Sequence, residues 1–92
     1  MIRFRSRQLK DELHDNLARA LEAGRVYETV DNRVFYVMRV DHGSKPGEFK
    51  SGRRPAQVKV VYLCGGDVGW REGVPTWIQG MNLEWMAPKA IT

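Results

Sequence analysis

The sequence has few of the side chains from which most catalytic and metal sites are built. It contains one cysteine and two histidines among its 92 residues. Cys64 therefore has no partner for an internal disulfide. The three side chains are far apart in the sequence, whereas a zinc site needs three or four nitrogen or sulfur ligands and a Cys–His nucleophile pair needs hydrogen-bond contact. We expect a protein that is not an enzyme and that uses no metal and no cofactor.

Long hydrophobic runs are also missing. No apolar run approaches the ~18 residues that a membrane span requires, and the arginine-rich first residues lack the apolar segment of a signal peptide. Together with the single cysteine, this predicts a cytoplasmic protein that does not contact membranes. A chain of this length is expected to form one domain, residues 1–92. It would bury about two thirds of its unfolded surface, which favours a modest core over a deep catalytic cleft.

Phosphate-binding loops are not predicted either. The glycine-rich run at residues 65–69 is followed neither by a helix pattern nor by a Lys-Ser/Thr pair. Both the P-loop and the dinucleotide-binding motif need a helix at that position, because its N-terminal N–H groups hold the phosphate. The glycines are therefore interpreted as a turn.

What is present is a helical pattern followed by several short strand patterns. From Arg7 to Ala23 the leucines recur in steps of three and four, with Ser6 as an N-cap and Gly24 as a stop signal. We expect strands at residues 2–5, 25–30, 33–40, 56–64 and 76–79, and either a strand or a helical turn at 82–86. The sum is an α+β fold in which one N-terminal amphipathic helix packs on a four- to five-stranded antiparallel, partly curled sheet.

The basic side chains are unevenly distributed. The net charge is +4, and residues 41–59 carry five basic side chains against two acidic ones. A smaller basic run at residues 3–7 is interpreted as a solvated edge. Concentrated positive charge attracts phosphate or an acidic protein surface, although a net charge of this size also serves solubility alone.

The long loop between the second and third main strands is the leading candidate for binding. Its cations can contact phosphates and its aromatic ring can stack on an unpaired base. The alternative is a solvated connector without a function of its own. Basic residues on the flanking strands are expected to extend the surface. The predicted nucleic-acid or partner contacts are Lys45, Phe49, Lys50, Arg53 and Arg54 in the loop, with Arg33, Arg39 and Lys59 on the strands.

Three tryptophans lie in the last quarter of the chain. One or two should enter the core, because each indole buries a large area, and an exposed one would anchor a protein partner. Trp70 follows a glycine-rich turn and is expected to be the most exposed, so Trp70 and Trp77 are predicted protein contacts. This supports a second hypothesis, in which the chain is a structural or protein-interaction module that forms a homodimer.

The hairpin segment from residues 24–27 through 34–40, followed by residues 58–62, resembles small SH3-like barrel proteins of phages and prophages. The likeness covers about half of the chain. In size and character the chain is similar to phage accessory proteins that bind and block host machinery, including anti-CRISPR proteins. The resemblance implies an inhibitor of a host defence complex that acts by direct binding, with a nucleic acid, a ribonucleoprotein or a host protein as its partner.

Overall fold

The computed structural model of the protein describes residues 2–44 and 54–92, with side chains from residue 9 onward. The elements are α1 (Ile2–Arg19), β1 (Val26–Glu28), β2 (Val34–Asp41), β3 (Gln57–Cys64), β4 (Thr76–Gln79), α2 (Gly80–Met86) and β5 (Lys89–Ala90). The predicted α+β class and the antiparallel sheet are confirmed. No helix in the described residues is both long enough and apolar enough to cross a bilayer.

The five strands form an open sheet in the order β4-β3-β2-β1-β5. Its centre is the β2–β3 pair, two eight-residue strands rich in valine, because β-branched side chains pack well on a pleated surface. The turn between β1 and β2 contains Asn32 at φ +67°, a conformation that asparagine tolerates. The segment at 82–86 is helical rather than a strand, and β5 follows it. Of the two alternatives predicted for residues 82–86, the structure therefore shows the helical one, in a helix that begins at Gly80.

The first helix differs from its prediction at both ends. It begins at Ile2, so the strand expected at residues 2–5 and the N-cap at Ser6 are wrong. It also ends at Arg19, one turn before the expected end. Gly24 has φ +89°, a conformation that costs glycine little. Its N–H donates to a carbonyl of β2 at 2.8 Å, so this glycine directs the chain from the helix into the sheet.

The leucines of the predicted stripe reach the core only from Leu17 onward. Leu9 and Leu13 are 61% and 48% exposed, whereas Ala18 is fully buried and Asp15 nearly so. The Asp15 carboxylate accepts a hydrogen bond from the backbone N–H of Ala56 at 3.1 Å. That bond attaches the helix to the segment that leads into β3. The small side chain and this polar contact let the helix lie close to the sheet.

The core lies between the helices and one face of the sheet, which we call the core face. Aromatic rings cross it in a row: Tyr27 lies 5.9 Å from Phe35, and Phe35 lies 5.7 Å from Tyr62 between ring centroids. Tyr62 is fully buried, which raises the pKa of its hydroxyl to about 12. The buried hydrophobic residues are Ala18, Leu21, Tyr27, Phe35, Val37, Ala56, Val58, Val60, Tyr62, Ile78, Leu83 and Met86.

A β-bulge at Met38 reverses the side-chain alternation along β2. Val37 and Arg39 pair with consecutive residues of β3, so Met38 is an extra residue in the ladder. The sequence pattern, with side chains alternating along the whole strand, predicts that Arg39 and Val37 lie on the same face of the sheet. The structure shows that this prediction is wrong. The bulge turns Arg39 towards solvent, and Val40 packs against the core instead.

Helices α1 and α2 are in close contact at Gly80. A Cβ atom at this position would overlap the backbone carbonyl of His14. Next to this contact, His14 Nε2 lies 3.0 Å from Glu84 Oε1 and joins the two helices. Only a residue without a side chain therefore fits where α2 begins.

Replacement of Gly80 by alanine should lower the free energy of unfolding by about 2–3 kcal/mol, because one helix must move to relieve the overlap. Urea denaturation measures the change. Gly69→Ala is the matched control: its added Cβ would meet nothing closer than the Asp67 carboxylate at 3.6 Å, so we expect a change within about 0.5 kcal/mol. Equal effects of the two substitutions would contradict the close approach of the helices.

Candidate nucleic-acid interface

We call the face of the sheet opposite the core face the outer face. Arg39 pairs with Lys59, and Lys59 pairs with Trp77, so these side chains form one row across β2, β3 and β4. Tyr36 and Val61 form the neighbouring row. Tyr36 and Trp77 are each 39% exposed. Two cations and two aromatic rings therefore share one exposed surface.

Arg54 brings a third cation to the same end of the sheet. Arg39, Arg54 and Trp77 line one shallow groove of about 360 Å³. The backbone N–H of Arg54 donates to Ser44 Oγ at 2.8 Å, which holds Arg54 at this position. We call Arg39, Arg54, Lys59 and Trp77 together the basic–aromatic patch.

One carboxylate lies among these cations. Asp41 Oδ1 accepts the backbone N–H of Gly43 at 3.0 Å and lies 3.6 Å from Arg54 Nη2. The Gly43 hydrogen bond, together with the charges of Arg54 and Arg39, lowers the pKa of Asp41. The carboxylate is therefore ionised at neutral pH and offsets one of three positive charges. Arg39 and Lys59 form no ion pair with any other residue that the structure describes.

Three of the eight predicted binding residues come together in the basic–aromatic patch, namely Arg39, Arg54 and Lys59. Four others, Lys45, Phe49, Lys50 and Arg53, lie outside the described residues. The two ends of that segment meet, because the N–H of Ser44 donates to the carbonyl of Arg54 at 2.8 Å. Ser44 and Arg54, which flank those residues in the sequence, thus lie side by side at the patch.

Arg33, the eighth predicted residue, lies apart from the patch and on the core-face side of the sheet. Its Nε atom donates to Asp31 at 2.8 Å and its Nη1 atom to Asp67 at 2.9 Å. Its guanidinium also lies over the rings of Trp70 and Trp85, at 5.5 and 6.0 Å from their centroids. These contacts within the chain engage Arg33, so it does not extend the surface formed by the other cations.

The expectation that Trp70 is the most exposed tryptophan is wrong. Its ring stacks on Tyr62 at 5.9 Å and on Trp85 at 6.2 Å, and it packs against the core. Trp77 and Trp85 are the more exposed, at 39% and 47%. Sequence reasoning did not identify Tyr36 as a site residue, although alternation with the buried Phe35 places it on the outer face.

Two other grooves lie beside α1. An apolar groove of about 340 Å³ between α1 and α2 is lined by Leu13, Leu17 and Leu83, among others. A second groove, of about 410 Å³, is lined by Lys10 and His14, among others. Among the residues that the structure describes, no three His, Cys, Asp or Glu side chains come together as metal ligands.

Arg33→Gln should lower the free energy of unfolding at neutral pH and reduce the loss of that free energy when the solution is acidified. Hydrogen bonds lower the pKa of Asp31, mainly from Thr29 and then Arg33, and that of Asp67, mainly from Arg33. A carboxylate whose pKa is lower in the folded than in the unfolded chain stabilises the fold at pH values above its ordinary pKa of about 4. That stabilisation is lost as the pH falls through the pKa of the folded state. Urea denaturation at neutral pH and at about pH 2–3 measures the difference.

The exposed Arg71, which takes part in no ion pair with the described residues, provides the control. Arg71→Gln is expected to keep the stability and the acid dependence of the unsubstituted chain. If Arg33→Gln also kept both, the proposed role of this arginine in holding Asp31 and Asp67 would be wrong.

Comparison with known proteins supplies no relative from which a function could be taken. No protein-family model, no curated protein and no solved structure matches this chain. The basic–aromatic patch is therefore the feature that indicates a function.

Proposed function

We propose that the chain is a non-enzymatic binding protein that contacts a nucleic acid or a ribonucleoprotein complex through the basic–aromatic patch. The observation that carries the proposal is the row Arg39–Lys59–Trp77, with Arg54 beside it. Cations that contact phosphates release condensed counterions, which drives binding. An exposed aromatic ring among them adds a surface on which a base can stack.

The construction of the patch favours binding without reorganisation. Arg39, Lys59 and Trp77 project from strands that are paired with one another, so their Cα positions are fixed before a ligand arrives. Fixed positions reduce the entropy lost on binding. Arginine also presents a planar fork that suits the oxygens of a phosphate, which makes Arg39 and Arg54 well suited to bidentate contacts.

In its more specific form, the proposal follows the resemblance to SH3-like phage proteins. The chain would be a phage-encoded inhibitor that acts in the host cytoplasm and blocks a CRISPR-type defence complex by direct binding. A protein that blocks by occupying a surface needs no catalytic group. A ribonucleoprotein offers both phosphates for the cations and protein surface or unpaired bases for the exposed rings. The open sheet and its basic end are compatible with such a role.

The double substitution Arg39→Gln and Arg54→Gln should reduce the salt dependence of nucleic-acid binding. Three phosphate contacts give a negative slope of log K against log salt with a magnitude of at least about 2. Each lost contact lowers that magnitude by about 0.7 for a single strand or 0.9 for a duplex. The slope should therefore become shallower by roughly 1.4–1.8. Fluorescence anisotropy of labelled, mixed-sequence RNA and DNA across a salt series measures it.

Two cations elsewhere on the chain provide the control. Arg71 lies beyond the far end of β3 and Lys89 lies on β5, at the opposite edge of the sheet from Trp77. The double substitution Arg71→Gln and Lys89→Gln removes the same charge and should leave most of the slope in place. Equal losses in the two double variants would attribute binding to net charge rather than to the patch. No binding of any nucleic acid would refute the proposed function.

A second candidate function is a protein-interaction module that forms a homodimer through the outer face. The observation in its favour is a set of partly exposed apolar side chains there, with Tyr36 39%, Met38 43% and Trp77 39% exposed. Burial of such a surface between two copies would be favourable. Light scattering over a range of protein concentrations tests it: the dimer hypothesis predicts twice the chain mass at high concentration, and a constant monomer mass would refute it.

A further inference from the structure

We infer that the ligand of the basic–aromatic patch is a single-stranded nucleic acid, with one unpaired base stacked on Trp77 and a second on Tyr36. This inference rests on the proposed function and specifies the form of the ligand. The chemistry that recognises it is an aromatic face for each base and a cation for the phosphates between them. RNA and DNA share that chemistry.

The position of Trp77 is the first argument. On β4 the side chain that enters the core is Ile78, which is fully buried, while Trp77 points to the opposite side of the sheet. The indole is thus not needed to fill the core. It stands in the same row as Lys59 and Arg39, and it lines one groove with Arg39 and Arg54. Ring and cations are arranged as in proteins that bind single strands by stacking and by phosphate contacts.

The spacing of the two rings is the second argument. Tyr36 and Trp77 lie two strands apart and in neighbouring rows of the outer face. With a strand separation of ~4.8 Å and a rise of ~3.3 Å per residue, their Cα atoms are about 12 Å apart. Successive bases of one strand in a duplex are only ~3.4 Å apart. Two bases that stack on these two rings must therefore lie farther apart than successive bases of a duplex, and an unpaired strand permits that separation.

The shape of the surface is the third argument. Three strands present a width of about 10 Å before side chains are added, and the surface is a sheet rather than a projecting helix or ribbon. A duplex in contact with it would offer phosphates to the cations but would keep its bases stacked inside. Neither ring would then reach a base face. Only an unpaired strand uses the cations and the rings together.

The test compares labelled RNA and DNA single strands of about 12 nucleotides, a length within the usual site sizes, with the duplex of the same sequence. Fluorescence anisotropy at low and at physiological salt measures each affinity. The single strand should bind more tightly than the duplex. Trp77→Leu should weaken single-strand binding by roughly 5- to 150-fold, the range for loss of one stacked base, and leave duplex binding unchanged.

Three further variants make the test specific to stacking. Trp77→Phe keeps an aromatic face and should retain most of the affinity. Tyr36→Leu should weaken binding in the same direction as Trp77→Leu, so the inference can be judged even if one of the two variants fails to fold. Trp85→Leu removes the other exposed indole, which lies on α2 and stacks on Trp70, and should not change the affinity.

Several results would overturn the inference. In one such result, duplex and single strand bind equally, Trp77→Leu has no effect, and the double substitution Arg39→Gln with Arg54→Gln weakens both. That result would leave the proposed function in place and refute the single-strand ligand. Equal losses in Trp77→Leu and Trp77→Phe would refute stacking. Binding of no nucleic acid at all would refute the proposed function as well. A dimer that dissociates on Trp77→Leu would assign the outer face to a second copy of the chain.

Discussion

The bulge at Met38 is the feature on which the two-sided character of the sheet depends. An unbroken β2 would carry Arg39 on the core face, where an unpaired charge is costly to bury. One extra residue moves Arg39 to the outer face and returns Val40 to the core. The same change places Arg39 opposite Lys59 and in line with Trp77. The arrangement of the basic–aromatic patch is therefore a consequence of one local irregularity in the backbone.

The two faces of the sheet use the same residue types for different purposes. On the core-face side, Arg33 holds Asp31 and Asp67 and covers Trp70 and Trp85, so its charge is neutralised within the chain. On the outer face, Arg39 forms no ion pair with a described residue. A hydrogen-bonded, partly exposed guanidinium such as that of Arg33 contributes to stability, whereas an exposed one without an ion pair keeps its field for a ligand. Position relative to the sheet, rather than residue type, separates the two roles.

Sequence patterns predicted β1 to β4, because period-two alternation and turn residues are local signals, whereas the same alternation at residues 2–5 belongs to a helix. Strand β4 has the predicted bounds and β3 differs by a single residue. The leucine stripe predicted the buried side of the helix only from Leu17 onward, because the burial of a helix depends on what it packs against. The helix also uses Ala18 and Asp15 for close contact with the sheet. The bulge at Met38 and the two-residue β5 leave no periodic signal, so neither could be predicted.

The basic–aromatic patch could be predicted only in part, for the same reason. Composition indicated Arg39, Arg54 and Lys59 as candidates, since charge can be counted in a sequence, and the structure places these three residues at one end of the sheet. Composition could not separate Arg33 from them, because the Asp67 that engages Arg33 is 34 residues away in the sequence. It also could not rank the tryptophans, because exposure depends on neighbours that meet only after folding.

The three tryptophans illustrate how tertiary contacts assign roles to identical side chains. Trp70 extends the aromatic row of the core, since it stacks on Tyr62, and Trp85 in turn stacks on Trp70. Arg33 covers both of these rings, so both contribute to one packed cluster. Trp77 is in none of these stacks and lies among cations on the outer face. An indole outside these stacks, beside Arg39 and Lys59, which form no ion pair with a described residue, is the combination on which the proposed base and phosphate contacts rest.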